Sequence, residues 1–314
     1  MRLSFIKCHG SGNDFPLVDG RALDLSDAQW GQVARALSDR AGPVGGDGLL
    51  VLTAGDDDAA FGMRMFNSDG SEAETCLNGL RCVARAGFEA LGLDRATVRL
   101  KTSVATVARA TDLAPGVYTV TETVGPATLD VAAWPLDAGA AQVVAAPVPP
   151  LDPHRAFTAV AIPNPHLVSF VDRVDEDELV RLGTVCEAAP VWLPRRANVS
   201  FVEVRGEDRL FVRTFERGVG LTDSCGSAMA ASTYAACLDG RVAFGRDVTV
   251  LNRGGLVRAR AERDAMVTLS GNATWEWAGE ATIDLIHARA GDLTIARHMD
   301  AEIAAWAAVV DAAR

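Results

Sequence analysis

One cysteine-ended pattern occurs twice in this chain, and a duplicated pattern commits a chain to two similar halves. Met63-Arg64-Met65-Phe66 is followed by nine residues and then Cys76, and Val212-Arg213-Thr214-Phe215 by nine residues and then Cys225. The cysteines stand 149 positions apart (225 − 76). Upstream, the run Asp47 to Leu52 matches the run Asn198 to Glu203 at an offset of 151 (198 − 47). Each cysteine opens an apolar, small-residue segment that reads as a helix. At 314 residues the chain also exceeds the usual size of a single core, so two domains are expected.

Short β-branched or alternating runs dominate the rest. Leu49–Thr53, Met63–Phe66, Thr97–Thr102, Val117–Thr123, Thr158–Ile162, Val199–Val204, Leu210–Phe215 and Leu256–Ala261 read as strands. Helices are fewer. Ser26-Asp-Ala-Gln29 is a capping box with Trp30, Val33, Ala34 and Leu37 at helical spacing behind it. A stripe from Leu80 to Leu91 ends at Gly92, a third helix follows Cys225 to about Leu238, and a fourth runs from Glu176 to about Ala188. The expected class is α+β: two pseudo-symmetric domains, each a curved, mostly antiparallel sheet around a central helix. The Pro/Ala/Gly-rich stretch from Gly125 to Pro153 is the expected parting, with residues 1–126 plus 280–314 as the lobe of Cys76 and 127–279 as the lobe of Cys225. The end, Met299–Arg314, carries Ile303, Trp306, Ala307 and Val310 on one face. It is expected to dock on the body, with a homodimer contact as the alternative use.

Two thiols, one from each half, suit chemistry on both faces of one carbon. Inverting an α-carbon means taking its proton from one side and returning one from the other, which a single base does not easily do. A cysteine pair can work as thiolate and thiol. A helix entrance favours a thiolate through its unpaired amides, and the same amides bind a carboxylate and the charge that spreads onto it. The other cysteines, Cys8, Cys82, Cys186 and Cys237, read as packing. Pyridoxal phosphate, the usual route to racemisation, needs a Schiff-base lysine. The two lysines, Lys7 and Lys101, lie in strand-like runs with no Gly-rich phosphate cradle, so no cofactor is expected. No cysteine forms a C-x-x-C and no histidine pair has ligand spacing, so no metal site is expected either.

A net charge of −11 argues against nucleic acid and anionic membrane as partners. Any arginine that meets an anionic ligand must do so inside a pocket. No run reaches the ~18 apolar residues of a membrane span, the start carries no secretory pattern, and the expected compartment is the cytoplasm.

The segment Phe66-Asn-Ser-Asp-Gly-Ser-Glu-Ala-Glu-Thr-Cys76-Leu-Asn-Gly-Leu-Arg-Cys82 resembles the first catalytic segment of the diaminopimelate epimerase family. Glu216-Arg-Gly-Val-Gly-Leu-Thr-Asp-Ser-Cys225-Gly-Ser resembles the second, and Lys7-Cys-His-Gly-Ser-Gly-Asn-Asp-Phe15, Asn164-Pro-His166 and Arg196-Ala-Asn198 match further motifs in order. The resemblance implies cofactor-independent epimerisation of L,L-diaminopimelate to the meso form, with Cys76 and Cys225 as the acid/base pair. It also implies that Asn13, Asn67, Asn164, Asn198, Glu216 and Arg217 line the substrate pocket. Leu77, Asn78, Gly226 and Ser227 would present amides to the reacting carboxylate, and His166 would stand near the thiols. Arg217 suits a distal carboxylate and Glu216 an ammonium.

Three positions depart from the family's pattern, the mildest being Ala228, where glycine is common after Ser227. Leu77 stands where glycine follows the first cysteine, and Leu221 where glutamate precedes threonine. Leu77 is expected to crowd or tilt the loop that grips the carboxylate, and the pair together to retune the pocket for another polar amino acid such as histidine. Other readings are an isomerase related to phenazine biosynthesis, which would use a carboxylate in place of the thiols; a thiol hydrolase using His166; and a non-catalytic amino-acid binder. The last two leave a duplicated second thiol without a use.

Overall fold

The computed structural model describes residues 1–313; Arg314, the last residue of the expected terminal segment, lies outside them. Two compact units are formed, one by Met1–Glu122 with Ser270–Ala312 and the other by Thr123–Leu269.

In the first unit the chain runs β1 (Arg2–Gly10), β2 (Asn13–Asp19), α1 (Asp27–Ser38), β3 (Gly48–Ala54), β4 (Phe61–Asn67), the short β5 (Glu72–Ala73), α2 (Leu77–Leu91), β6 (Arg95–Arg99) and β7 (Val104–Arg109), and on into β8 (Thr119–Val124). β1 is antiparallel to β2, β2 parallel to β3, β3 antiparallel to β4, β4 parallel to β6, and β6 antiparallel to β7. The second unit repeats this plan. After β9 (Ala146–Val148) come β10 (Asp152–Ile162), β11 (Asn164–Phe170), α3 (Glu176–Glu187), β12 (Asn198–Gly206), β13 (Arg209–Glu216), β14 (Gly220–Thr222), α4 (Gly226–Leu238), β15 (Val248–Asn252) and β16 (Gly255–Ala261). Its pairings take the same senses in the same order. The chain then passes through β17 (Val267–Asn272) and adds β18 (Thr274–Asp284), β19 (Arg289–His298) and α5 (Asp300–Ala313) to the first unit; β18 pairs with β1 and β19 with β18.

The central helices follow from their small residues. α2 touches β1, β2, β3, β4, β6 and β7, and α4 touches β10, β11, β12, β13, β15 and β16. A helix so enclosed must be apolar or small all round, and α4 is buried from Gly226 to Cys237. In α2 a Cβ on Gly79 would lie 2.6 Å from Leu50 and one on Gly87 2.5 Å from the Phe61 ring, so glycine lets the sheet close on the helix. α1 and α3 lie against their sheets with one apolar face each, Trp30, Val33, Ala34 and Leu37 in α1 and Leu179, Leu182, Gly183 and Cys186 in α3. The Ser26 capping box forms as expected, and Asp175 caps α3.

Several expectations are corrected. β3 pairs Leu49 with Phe66 and β12 pairs Val199 with Phe215. The repeat offset there is therefore 150 (199 − 49), and Asn198 corresponds to Gly48, not Asp47. β3 is buried from Gly48 to Leu52, so it lacks the alternation that fixes register. β6 ends at Arg99, which leaves Lys101 in the bend beyond it. In α5 the buried residues are Trp306 and Val309, while Ile303 and Ala307 are exposed; Glu302, one turn before Trp306, pairs with Arg85 at 2.6 Å and directs that face inward. The stretch from Gly125 to Pro153 is packed: Val131, Trp134, Leu136, Val143, Val148 and Leu151 belong to the core of the second unit.

Candidate active site

Two clusters, one in each unit, hold the residues singled out by sequence. Each is built at the entrance of a central helix.

In the first unit Cys76 is the N-cap of α2, and its Sγ accepts the Gly79 amide at 3.4 Å. The first backbone bond of the helix is Leu80 N–H to Cys76 O, so the amides of residues 77 to 79 stand at the helix entrance. Asn13, opening β2, brings its Oδ1 to 3.7 Å from Cys76 Sγ and accepts Asn78 Nδ2 at 3.4 Å. Its own amide nitrogen donates to Asp47 Oδ2 at 2.5 Å. Asp47 also accepts Arg40 at 2.7 Å, and Asp14 binds both Arg40 and the buried Lys7, which fastens the Gly45–Asp47 loop beneath Asn13. Asn67 ends β4 in a tight turn, where its Nδ2 donates to Ser71 Oγ at 2.9 Å. Leu77 takes an ordinary backbone as the first residue of α2 and is buried, so the left-handed conformation that would demand glycine is not used.

In the second unit Cys225 is the N-cap of α4 and no side-chain bond caps the helix. Its Sγ lies 3.5 Å from Ser227 Oγ, which lies 3.1 Å from His166 Nε2. Asn198 Nδ2 stands 3.5 Å from the same ring nitrogen, while Asn198 Oδ1 accepts the Arg217 amide at 2.9 Å. The Arg217 guanidinium donates to Asn164 Oδ1 at 3.5 Å and to the Arg195 carbonyl at 3.2 Å. Glu216 Oε1 accepts Thr222 Oγ1 at 2.5 Å. Thus Asn164, His166, Asn198, Glu216, Arg217, Gly226 and Ser227 are brought together with Cys225. Leu221 pairs with Phe215 and packs on the core of its unit. Its apolar side chain has a structural destination, so the expected retuning of the pocket finds no support there.

The electrostatics also correct an expectation. A helix entrance should favour the Cys225 thiolate, yet burial pushes this thiol well above its ordinary value, and the Glu216 carboxylate pushes the same way. The Ser227 hydroxyl and the Ala228 amide pull against them and lose. Cys225 therefore rests as the thiol. His166, fully buried and facing the charge of Arg217, is lowered to about 3, so its imidazole is neutral across the working pH range. It can exchange a hydrogen bond with Ser227 but does not serve as a cation. Cys8, Cys82, Cys186 and Cys237 are all buried, as packing cysteines should be.

Sequence reasoning missed the residues that hold the pocket residues. Asp47 orients Asn13 from 34 positions away and Thr222 holds Glu216. Only the Gly45-Gly46-Asp47-Gly48 turn could have pointed to the former.

The family model described as diaminopimelate epimerase matches residues 5–128 and 158–276. A diaminopimelate epimerase of Clostridium acetobutylicum is 38% identical over 290 residues, covering 90% of this chain and 87% of the relative. One of Listeria innocua is 37% identical over 293 residues, covering 90% and 89%. Among solved structures, a PhzF-family phenazine biosynthesis protein of Bacillus anthracis aligns with a TM-score of 0.65 at 15% identity, covering 90% of this chain and all (100%) of that one. A hydroxyproline epimerase of Agrobacterium vitis aligns at 0.62 and 14% identity, covering 90% and 92%. Those two likenesses show a shared fold.

Proposed function

Because the chain belongs to the diaminopimelate epimerase family, we propose that it interconverts L,L- and meso-diaminopimelate with Cys76 and Cys225 as its acid and base. It is an isomerase of the epimerase class. The observation that carries the reading is the matched placement of the two cysteines, each at the N-cap position of the buried central helix of its own unit beside a set of polar side chains.

One thiolate removes the α-proton, and the thiol of the other cysteine protonates the opposite face. Burial holds Cys225 in the donor form, which suits it to give the proton in the first half-reaction from that side. The amides of Leu77, Asn78, Gly226 and Ser227 receive the reacting carboxylate and the charge delocalised onto it. Asn13, Asn67, Asn164 and Asn198 supply amide partners to the other polar groups of the substrate, Arg217 a fork for the distal carboxylate, and Glu216 a counter-charge for an ammonium. His166, neutral, keeps Ser227 and Asn198 in place.

No described helix is long and apolar enough to cross a membrane. Action on free diaminopimelate is consistent with a cytoplasmic enzyme, and the exposed Ile303 of α5 is an apolar residue available to a second copy of the chain.

Purified protein given L,L-diaminopimelate, L-histidine, L-lysine and L-glutamate in separate reactions should invert only the first at a useful rate, as followed by chiral chromatography. Preferential racemisation of an amino acid with a single stereocentre would replace the substrate while leaving the class of enzyme intact.

A further inference from the structure

We infer that Arg81 is a positioning residue for the reaction, its buried guanidinium locking the loop that carries Asn13 onto the entrance of the helix that carries Cys76. This rests on the reading that Cys76 acts beside Asn13 and Asn78.

Arg81 lies within the first two turns of α2 and is wholly buried. Its nitrogens reach three segments besides its own helix. Nη2 donates to Asn78 Oδ1 at 2.7 Å and to Ser11 Oγ at 3.4 Å. Nη1 donates to Glu122 Oε1 at 2.7 Å, and Nε to the Asn272 carbonyl at 3.2 Å. Asn272 in turn accepts the Ser11 amide through Oδ1 at 2.7 Å. Ser11 needs this restraint, since its φ of 53° is left-handed and a residue with a side chain holds such a conformation only when its surroundings impose it. The loop also presses closely on the helix entrance, where a Cβ on Gly10 would come within 2.5 Å of Asn78 O.

The chemistry of donors and acceptors makes this more than packing. Guanidinium only donates and carboxylate only accepts. Arg81 therefore fixes the Asn78 carboxamide with its oxygen inward and its nitrogen toward Asn13. Asp47 fixes Asn13 with its nitrogen outward and its oxygen toward Asn78 and Cys76. The face that Asn13 offers to the thiol is thus set at both ends, by Arg81 through Asn78 and by Asp47 directly. Glu122, also fully buried, accepts from the guanidinium at 2.7 Å; burial raises its carboxyl to about 7 against the opposing pull of the Arg81 charge and hydrogen bond, which favour the ionised form that pairs with a buried guanidinium.

The test is Arg81→Lys, which keeps a charge for Glu122 but cannot span Asn78, Ser11 and Asn272 together. Losing charged hydrogen bonds of this kind predicts a fall in kcat of about tenfold to a hundredfold. KM should move much less. In a double-mutant cycle with Asn78→Ala, the combined variant should lose little beyond the worse single variant. In a Cys225→Ala background, Arg81→Lys should change the rate of Cys76 alkylation by iodoacetamide; in a Cys76→Ala background it should leave Cys225 alkylation as it was. A merely structural arginine would move neither readout selectively. Wild-type kcat in Arg81→Lys, or losses that multiply with Asn78→Ala, would overturn the inference. Should the lysine variant not fold, Arg81→Met with Glu122→Leu removes both buried charges together, and full kcat in that pair would overturn it equally. Full turnover by Cys76→Ala would instead remove the functional reading beneath it.

Discussion

Cys76→Ala loses epimerisation by at least about a thousandfold, and Cys225→Ala does the same, while each protein remains folded. General acid or base groups contribute roughly 10²- to 10⁴-fold. On the proposed mechanism each direction of the reaction needs both thiols, so neither variant should retain a working direction. Groups that act as a unit give losses that do not add. The double variant should therefore be no slower than the poorer single one. Each helix entrance keeps its backbone amides, so circular dichroism should change little; the melting temperature should fall by a few degrees at most, more for Cys76→Ala, which loses the sulfur that accepts the Gly79 amide. Serine variants should be nearly as slow as alanine, because a hydroxyl carries far too high a pKa to replace a thiolate at neutral pH. Steady-state inversion of L,L-diaminopimelate measures all of these. A single variant with more than a few per cent of wild-type turnover would show that one thiol suffices.

Arg217→Met raises KM for diaminopimelate and lowers kcat/KM by about 10²- to 10³-fold, the effect of losing a charge-assisted fork on a carboxylate. The guanidinium is already braced by Asn164 Oδ1 and the Arg195 carbonyl, so binding costs it little ordering. Arg217→Lys should recover only part of the loss, because an ammonium cannot make the parallel pair of bonds. Arg217→Met also removes the charge facing His166, which lets the imidazole rise from about 3 while burial still holds it low. His166 therefore stays neutral near pH 7, and the change in KM reports the carboxylate contact. An unchanged KM in Arg217→Met would assign the distal carboxylate to another residue.

The helices that matter most were legible because their signals are local. Ser26 with Gln29, the glycine after Leu91, and the small-residue run after Cys225 each lie within one turn or one helix of what they specify. The duplication, too, could be read from residue order alone. Register could not: β3 and β12 are buried through most of their length, and a strand apolar on both faces matches equally well one residue away. β19 was missed because its residues are mostly exposed and carry no apolar alternation.

The site was legible at the polar residues beside each thiol and silent about those that hold them. Asp47 against Asn13 and Glu122 against Arg81 join positions 34 and 41 apart, and nothing local in the sequence records either bond. The thiol electrostatics show the same limit. A helix entrance is visible in sequence, but the burial that outweighs it at Cys225 appears only when the sheet has closed on α4. Leu221 was visible as a departure, yet its side-chain direction depends on the β13–β14 pairing that turns it to the core.

Where solvent hydrogen enters decides the central claim most directly. L,L-diaminopimelate is incubated with the wild-type protein in heavy water to a few per cent conversion, and both isomers are separated and analysed by mass. Two thiols serving opposite faces predict one deuterium at the inverted carbon of the meso product, with the recovered L,L substrate still protiated. Deuterium in both isomers equally from the start, or a product that keeps the substrate's own proton, would mean that one group serves both faces.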